Sequence, residues 1–303
     1  MQFCGDENKI GDQRWHDIEV YKHVVEKLMV QAEKENKFIW FQLTGGEPTL
    51  YPKLLELLEF IKKKGHKVAM ISNGSRTIRY WKEFAEKKVL DILFLTHHTE
   101  QDVNENHTIE VANIFHDYPT DVRIQVTAPR ALLKEGYRRH LRILENTGAL
   151  STMKAIFYYT DGSFSPRELA DYTEEETAIL LDNFSRPGKL RSTKTLPKLP
   201  LTAQYGTKMH VEFDDGSAKD LSVYELVEHK LNNFLGWECS VGKDLITIQH
   251  DLIYRAVCRQ GGIIGDINDE DFGFVNDTII CKAKNCTCLM DLQEPRFKPS
   301  QQI

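Results

Sequence analysis

Several features are missing from this 303-residue chain, and their absence excludes some classes of protein. It has no apolar run of the roughly eighteen residues that a membrane-spanning helix needs. Its first residues are polar and acidic and lack the apolar segment of a signal peptide. It has no excess of positive charge, since its net charge is −6, and this argues against general nucleic-acid binding. We therefore expect a cytoplasmic protein with neither a membrane nor a general nucleic-acid partner.

Cysteine is scarce in most of the chain, where only Cys4 precedes the last quarter. The remaining cysteines are Cys239, Cys258, Cys281, Cys286 and Cys288. A disulfide framework is not expected in a cytosolic chain of this length. Thiols concentrated in a reducing compartment are instead typical of a metal site.

The first half of the chain alternates between the apolar spacing of helices and that of strands. Helices are predicted at 17–36, 53–64, 77–87, 108–116 and 132–146, and strands at 38–43, 68–71, 90–95, 122–126 and 153–158. This alternation predicts an α/β fold in which helices cover a parallel sheet. In such folds, ligands bind at the carboxyl ends of the strands.

Composition divides the chain into four predicted parts. Residues 1–183 form the α/β domain, and 184–235 form a basic, proline-containing linker with a hairpin that turns at Asp215-Gly216. The cysteine-rich module spans 236–292, and 293–303 are a tail.

The sharpest motif directly follows the first predicted strand and reads Thr44-Gly45-Gly46-Glu47-Pro48. Two glycines let a backbone approach a ligand closely, a glutamate offers an acceptor for an ammonium group, and proline suits the first turn of a helix. The glycines alone are also typical of an ordinary strand-to-helix turn. The whole string resembles the GGEP motif of radical S-adenosylmethionine (radical SAM) enzymes.

That resemblance implies a fold and a set of cofactor contacts. The fold would be a partial, open (β/α)6 barrel that lacks its first strand. Glu47 would hold the SAM amino group, Ser72 and Asn73 would meet its ribose or carboxylate, and His98 lies in a polar stretch at the matching rim. The implied cofactor-binding residues are Gly45, Gly46, Glu47, Pro48, Ser72, Asn73 and His98.

Radical SAM proteins hold a [4Fe–4S] cluster through a CxxxCxxC motif, and Met1-Gln2-Phe3-Cys4 resembles its end. If Cys4 is the third ligand, Met1 stands where the second thiolate belongs, and a thioether is a poor substitute. Three explanations remain open: a fragment or misassigned start, a degenerate family member, or an incidental Cys4. Since two of the three cluster cysteines are missing, whether this chain is itself an enzyme is left undecided.

The C-terminal cysteines, arranged around a predicted hairpin, resemble the auxiliary iron–sulfur modules called SPASM or twitch domains. The candidate ligands of an auxiliary [4Fe–4S] cluster are Cys239, Cys258, Cys281, Cys286 and Cys288. Which four of them bind metal is open. A zinc ribbon is the alternative, because zinc accepts the same thiolates.

The function implied by the resemblance is reductive cleavage of SAM to a 5′-deoxyadenosyl radical, which abstracts hydrogen from a substrate. The substrate would be an unknown small molecule or peptide, and the electron donor a flavodoxin or ferredoxin. The alternative is a non-catalytic, degenerate homologue that acts as a binding or accessory protein with one metal site.

Overall fold

The computed structural model describes residues 15–101, 104–156, 173–181, 186–190, 208–222, 225–226, 229–259, 261–284, 286 and 291–298. The chain divides into two compact units. The sheet unit comprises Gln2–Ile18 and Phe38–Pro197, and the cysteine unit comprises Glu19–Lys37 and Lys198–Ile303.

The sheet unit is built on a sheet of six strands in the order β1-β2-β3-β4-β5-β6. These are β1 Trp40–Leu43, β2 Lys67–Ser72, β3 Ile92–His98, β4 Asp121–Pro129, β5 Leu150–Ile156 and β6 Arg186–Pro187. The first five are parallel, and β6 pairs antiparallel with β5. The predicted α/β fold with a parallel sheet is therefore confirmed.

The first four helices of this unit connect successive parallel strands, and the fifth lies between β5 and the antiparallel β6. They are α2 Leu54–Lys63, α3 Ile78–Lys87, α4 Glu105–Ile114, α5 Leu133–Asn146 and α6 Glu174–Leu181. In α2, the buried residues Leu54, Leu57, Leu58 and Ile61 follow the three-and-four spacing of one helix face. Helix α3 begins after Thr77, whose hydroxyl accepts from the Tyr80 N–H at 3.3 Å.

The two faces of the sheet differ in chemistry. One face carries buried side chains such as Leu93, Leu95 and Ile124. Helix α5 packs against this face, since a Cβ added to Gly136 would lie 2.6 Å from the Ala128 Cβ. On the opposite face, polar residues such as Thr96 and Gln125 pair in register and keep partial exposure.

The cysteine unit combines one helix with short antiparallel sheets. Helix α1 is Ile18–Lys34, and the strands are β7 Lys208–Glu212, β8 Ala218–Ser222, β9 Glu238–Cys239, β10 Thr247–Gln249, β11 Leu252–Tyr254, β12 Ile263–Asp266, β13 Ile279–Ile280 and β14 Arg296–Phe297. Strands β7 and β8 form the hairpin predicted at Asp215-Gly216. Strand β9 lies between β13 and β14, and β11 between β10 and β12.

The structure changes several predicted details. Phe38 was placed in a buried strand, but it is 58% exposed. The strand begins only at Trp40, because the Ile39 N–H bonds to His66 Nδ1 at 3.0 Å. Strand β3 continues through His98 instead of ending at Leu95. Arg296–Phe297, assigned to a tail, pairs with β9.

Helix α1 is grouped with the cysteine unit, although the sequence placed it in the 1–183 domain. None of the helices in the described part of the chain has the length and apolar character needed to span a membrane.

Candidate functional site

The loop after β1 contains two glycines whose backbone is exposed. Gly45 and Gly46 have φ values of +86° and +52°, the left-handed region that favours glycine. A Cβ added at either position would meet no atom within 4 Å. Among the described residues, none hydrogen-bonds to the backbone of Gly45 or Gly46. A ligand can therefore approach these peptide groups directly.

Glu47 connects this loop to the loop after β2. Its Oε1 accepts from the Thr49 N–H at 3.2 Å, the Thr49 hydroxyl at 2.7 Å and the Ser72 hydroxyl at 2.8 Å. Its Oε2 accepts from the Asn73 N–H at 2.8 Å. A carboxylate has about four acceptor sites, so protein donors occupy most of its capacity. Glu47 thus positions both loops, while its direct contact with a SAM amino group stays a prediction.

The loop after β2 is fixed by its own polar side chains. The buried Ser72 hydroxyl accepts from the Gly74 N–H at 3.0 Å, and Asn73 Oδ1 accepts from the Ser75 N–H at 2.9 Å. Gly74 has a φ of +71°, and a Cβ there would lie 3.3 Å from Leu95 Cδ2. The loop is therefore ordered before any ligand arrives.

Two residues that sequence reasoning missed tie these loops together. Arg76 donates from Nε at 3.0 Å and from Nη2 at 2.6 Å to the Thr49 carbonyl. His107, on α4, lies with Nε2 2.9 Å from the Gly74 oxygen and 3.1 Å from the Arg76 oxygen. Both carbonyls only accept, so the ring proton is on Nε2. Neither residue belongs to a recognisable motif, and only the folded geometry reveals their role.

His97 and His98 point to opposite sides of β3, as alternation in a strand requires. His97 is 1% exposed on the helix-covered face, with Nδ1 3.0 Å from the Thr108 hydroxyl and Nε2 3.2 Å from Arg139 Nη1. Burial, and then the Arg139 charge, lower the pKa of His97 to about 4. This ring is neutral and structural.

His98 lies on the polar face and is paired with a carboxylate. Its Nδ1 lies 2.8 Å from Glu100 Oε1, and its side chain keeps 19% exposure. Because a carboxylate accepts, Nδ1–H donates, and in the neutral ring Nε2 is left as an acceptor. His98 lies at the carboxyl end of β3, which neighbours β2, and its role as a SAM contact stays a prediction.

Only some of the described thiols of the cysteine unit lie in the same cluster. Cys239, Cys281 and Cys286 belong to one buried apolar cluster, whereas Cys258 is exposed. Burial raises the pKa of the Cys239 thiol. Arg296 Nη2 lies 3.7 Å from Cys286 Sγ.

Within the described residues, no three His, Cys, Asp or Glu side chains converge as a metal site. Cys4 and Cys288 lie outside those residues. The described thiols alone therefore do not fit a cluster, and both ligand sets stay predictions.

Comparison with known proteins identifies relatives of the sheet unit. Residues 2–146 match the Radical SAM superfamily model. Over 107 residues the chain is 28% identical to an S-adenosylmethionine-dependent nucleotide dehydratase of Thermoplasmatales archaeon (strain ISO4-H5). That match covers 32% of this chain and 38% of the relative. The chain therefore spans well under half the length of the curated relative that it matches.

Solved structures give weaker likenesses. Streptococcus suis SuiB is 14% identical with a TM-score of 0.49, covering 86% of this chain and 58% of SuiB. SuiB bound to S-adenosylmethionine is 16% identical with a TM-score of 0.42, covering 58% of this chain and 42% of that one. Archaeal TYW1 is 17% identical with a TM-score of 0.31, covering 50% of this chain and 61% of that one. These TM-scores are too low to support a statement about function.

Proposed function

We propose that this protein, whose residues 2–146 match the Radical SAM superfamily model, binds SAM at the carboxyl ends of β1, β2 and β3 and cleaves it reductively. When bound, a [4Fe–4S] cluster supplies the electron for that cleavage, and the resulting 5′-deoxyadenosyl radical abstracts hydrogen from a substrate. Cys4 is the candidate cluster ligand in this chain. A flavodoxin or ferredoxin is the proposed electron source.

The loops around Glu47 would do the binding and orienting. The open peptide groups of Gly45 and Gly46 would receive the SAM ammonium and carboxylate, which the surrounding geometry leaves room for. Glu47, Ser72 and Asn73 hold these peptides in place through the hydrogen bonds between the two loops. Fixed dipoles of this kind bind a charged ligand without reorganising when it arrives.

The observation that carries this proposal is the pair of left-handed glycines facing open space beside a glutamate that joins two strand ends. Both glycines are exposed, and no described residue hydrogen-bonds to their peptide groups, which leaves these groups open to a ligand.

The proposed substrate is a nucleotide. Support comes from the relative, which is named a SAM-dependent nucleotide dehydratase. The proposed roles of the cysteine unit are to carry an auxiliary iron–sulfur cluster and to assist electron flow or substrate binding.

The binding half of the proposal is tested by Gly46→Ala, with Gly65→Ala as a matched control. Gly65 has a φ of +87° and the same open surroundings, but it follows α2 at the opposite end of the strands. Both variants should lose about 1–2 kcal/mol of stability through the left-handed strain. Only Gly46→Ala should weaken SAM binding, by at least about tenfold, in calorimetric titrations. Equal SAM binding by both variants would refute the assigned position.

The redox half is tested on the full gene product after anaerobic reconstitution. Dithionite-reduced samples should show an iron–sulfur EPR signal that changes when SAM is added, together with 5′-deoxyadenosine formation. Cys4→Ala should remove the SAM-sensitive signal. A signal indifferent to SAM, without 5′-deoxyadenosine, would contradict reductive cleavage and favour the non-catalytic alternative.

A further inference from the structure

A row of polar side chains crosses the middle of the sheet. Thr96 on β3 pairs in register with Gln125 on β4, and Gln125 pairs with Thr152 on β5. Residues paired in adjacent parallel strands project to the same face. These three form what we call the polar row, and all three are partly exposed.

The polar row is chemically unsatisfied within the described part of the chain. No described residue hydrogen-bonds to the side chain of Thr96, Gln125 or Thr152, whereas Thr127 of the neighbouring level donates to the His97 carbonyl at 3.3 Å. Because these side chains are partly exposed, their donors and acceptors are open to a ligand or to water. On the helix-covered face of the same strands, by contrast, the polar side chain of His97 is already hydrogen-bonded to Thr108 and Arg139.

His98 extends this set by one level toward the carboxyl ends of the strands, since it pairs with Thr127 and lies two residues beyond Thr96. Glu100 receives its Nδ1–H at 2.8 Å. With Nδ1–H donated to Glu100, the other nitrogen of the neutral ring form, Nε2, is an acceptor above the polar row. The cofactor loops lie at the same edge of the sheet, one strand away on β2.

The charged pair one level below the row is already engaged. Arg123, one level below, donates from Nε to Asp121 at 2.8 Å and lies with Cζ 5.5 Å from the Phe94 ring centre. Both members of that ion pair are buried. The three side chains of the row are neutral donors and acceptors, and Lys154 on β5 pairs in register with Thr127, at the level of His98.

We propose that Thr96, Gln125, Thr152 and His98 form a subsite for an uncharged, hydrogen-bonding part of the substrate. This inference rests on the proposed function, because it places the substrate beside the SAM loops. The carboxamide and the two hydroxyls of this row can each donate and accept hydrogen bonds. This matches the amide edge of a nucleobase or the hydroxyls of a ribose. His98 Nε2 accepts from a substrate hydroxyl or N–H, and Glu100 acts as a positioning residue by fixing the ring tautomer.

The test uses the full chain and each of the four common ribonucleoside triphosphates, titrated by calorimetry with SAM binding measured in the same preparations. Wild type should bind at least one triphosphate. Gln125→Leu and Thr96→Val should each weaken that binding about five- to tenfold, the loss expected for a removed hydrogen bond. Both variants should keep wild-type affinity for SAM.

Gln42→Leu is the matched control, because Gln42 pairs with Ala69 on the same sheet face. By register it lies four residues below the polar row, about 13 Å along the strands. Its triphosphate affinity should equal that of wild type. Equal losses in Gln42→Leu and Gln125→Leu would overturn the subsite.

Two further experiments show whether the subsite recognises the base or the ribose. If wild type prefers one of the four bases and Gln125→Leu abolishes that preference, the subsite recognises the base. If wild type binds the 2′-deoxy analogue more weakly and His98→Phe abolishes that difference, the subsite recognises the ribose. Glu100→Gln should move the 15N signals of the His98 ring in spectra of the SAM-free chain, which a residue that only packs there would leave unchanged.

The result bears separately on the two proposals. SAM binding without binding of any triphosphate overturns the subsite and leaves the proposed function standing. Triphosphate binding that depends on Gln125, in a chain that does not bind SAM, supports the subsite and refutes the proposed function.

Discussion

Single residues set the geometry of the loops after β1 and β2, and Glu47 is the clearest case. In Glu47→Gln the amide nitrogen can donate but not accept, so one of the N–H or O–H donors of Thr49, Ser72 or Asn73 faces another donor. We expect a loss of about 1–3 kcal/mol, the cost of an unsatisfied polar group. Chemical denaturation measures it, with the exposed Glu86→Gln of α3 as the control. A variant as stable as wild type would show that these bonds do not order the loops.

The sequence motifs pointed to residues that the fold places on the adjacent loops after β1 and β2, but not to the contacts between them. The motif around Gly46 was recognisable because the chemistry is local: two glycines, a glutamate and a strand end. The four donors to Glu47 include Ser72 and Asn73, some 25 residues away, and the Arg76 and His107 contacts carry no motif at all. Side-chain pairing across loops depends on folded geometry, which periodicity does not encode.

At the level of elements, the side-chain amide of Gln31 on α1 bonds to the loop around Gly273. Gln31 Nε2 donates to the Phe272 carbonyl and its Oε1 accepts from the Phe274 N–H, both at 2.9 Å. Gly273 between them has a φ of +150°, and an added Cβ would lie 2.0 Å from Gln31 Oε1. The loop therefore fits the helix only if residue 273 has no side chain.

Gly273→Ala should displace the Gln31 amide and lose both hydrogen bonds, at a cost of about 1–3 kcal/mol. Since the clash is with the end of Gln31, Gly273→Ala should cost less in a Gln31→Ala background. A double-mutant cycle by urea denaturation measures this coupling, expected at about 0.5–3 kcal/mol. Strict additivity would mean that Gln31 does not hold the loop.

The helices and strands themselves were largely predictable. Apolar spacing found every helix from α1 to α5 and the five parallel strands, because packing on a sheet imposes that spacing locally. The errors lie at element ends such as Phe38 and His98, where pairing with a neighbouring strand decides the boundary. The grouping of α1 with a loop about 240 residues away was not predictable, since Gln31 resembles any exposed glutamine in a helix.

At the scale of the whole molecule, two buried groups should give the two units opposite responses to pH. The pKa of His97 in the sheet unit is lowered from 6.5 to about 4, first by burial and then by the Arg139 charge, with smaller charge effects from Glu105, His98 and Glu100. The unfolded chain takes up this proton first as pH falls. Stability is therefore complete above about pH 6.5 and declines toward pH 4, by at most about 3 kcal/mol.

Glu294 in the cysteine unit has the reverse sign. Burial, with Asp244 and Asp291 nearby and Arg296 opposing, raises its pKa from 4.5 to about 7. Unfolding releases this proton between those values, so stability is complete below about pH 4.5 and declines as pH rises to 7. Calorimetry at pH 4.5 and 6.5 should show His97→Gln gaining stability over wild type mainly at the lower pH and Glu294→Gln mainly at the higher. Parallel shifts of both variants at both pH values would show that neither group titrates between the folded and unfolded states.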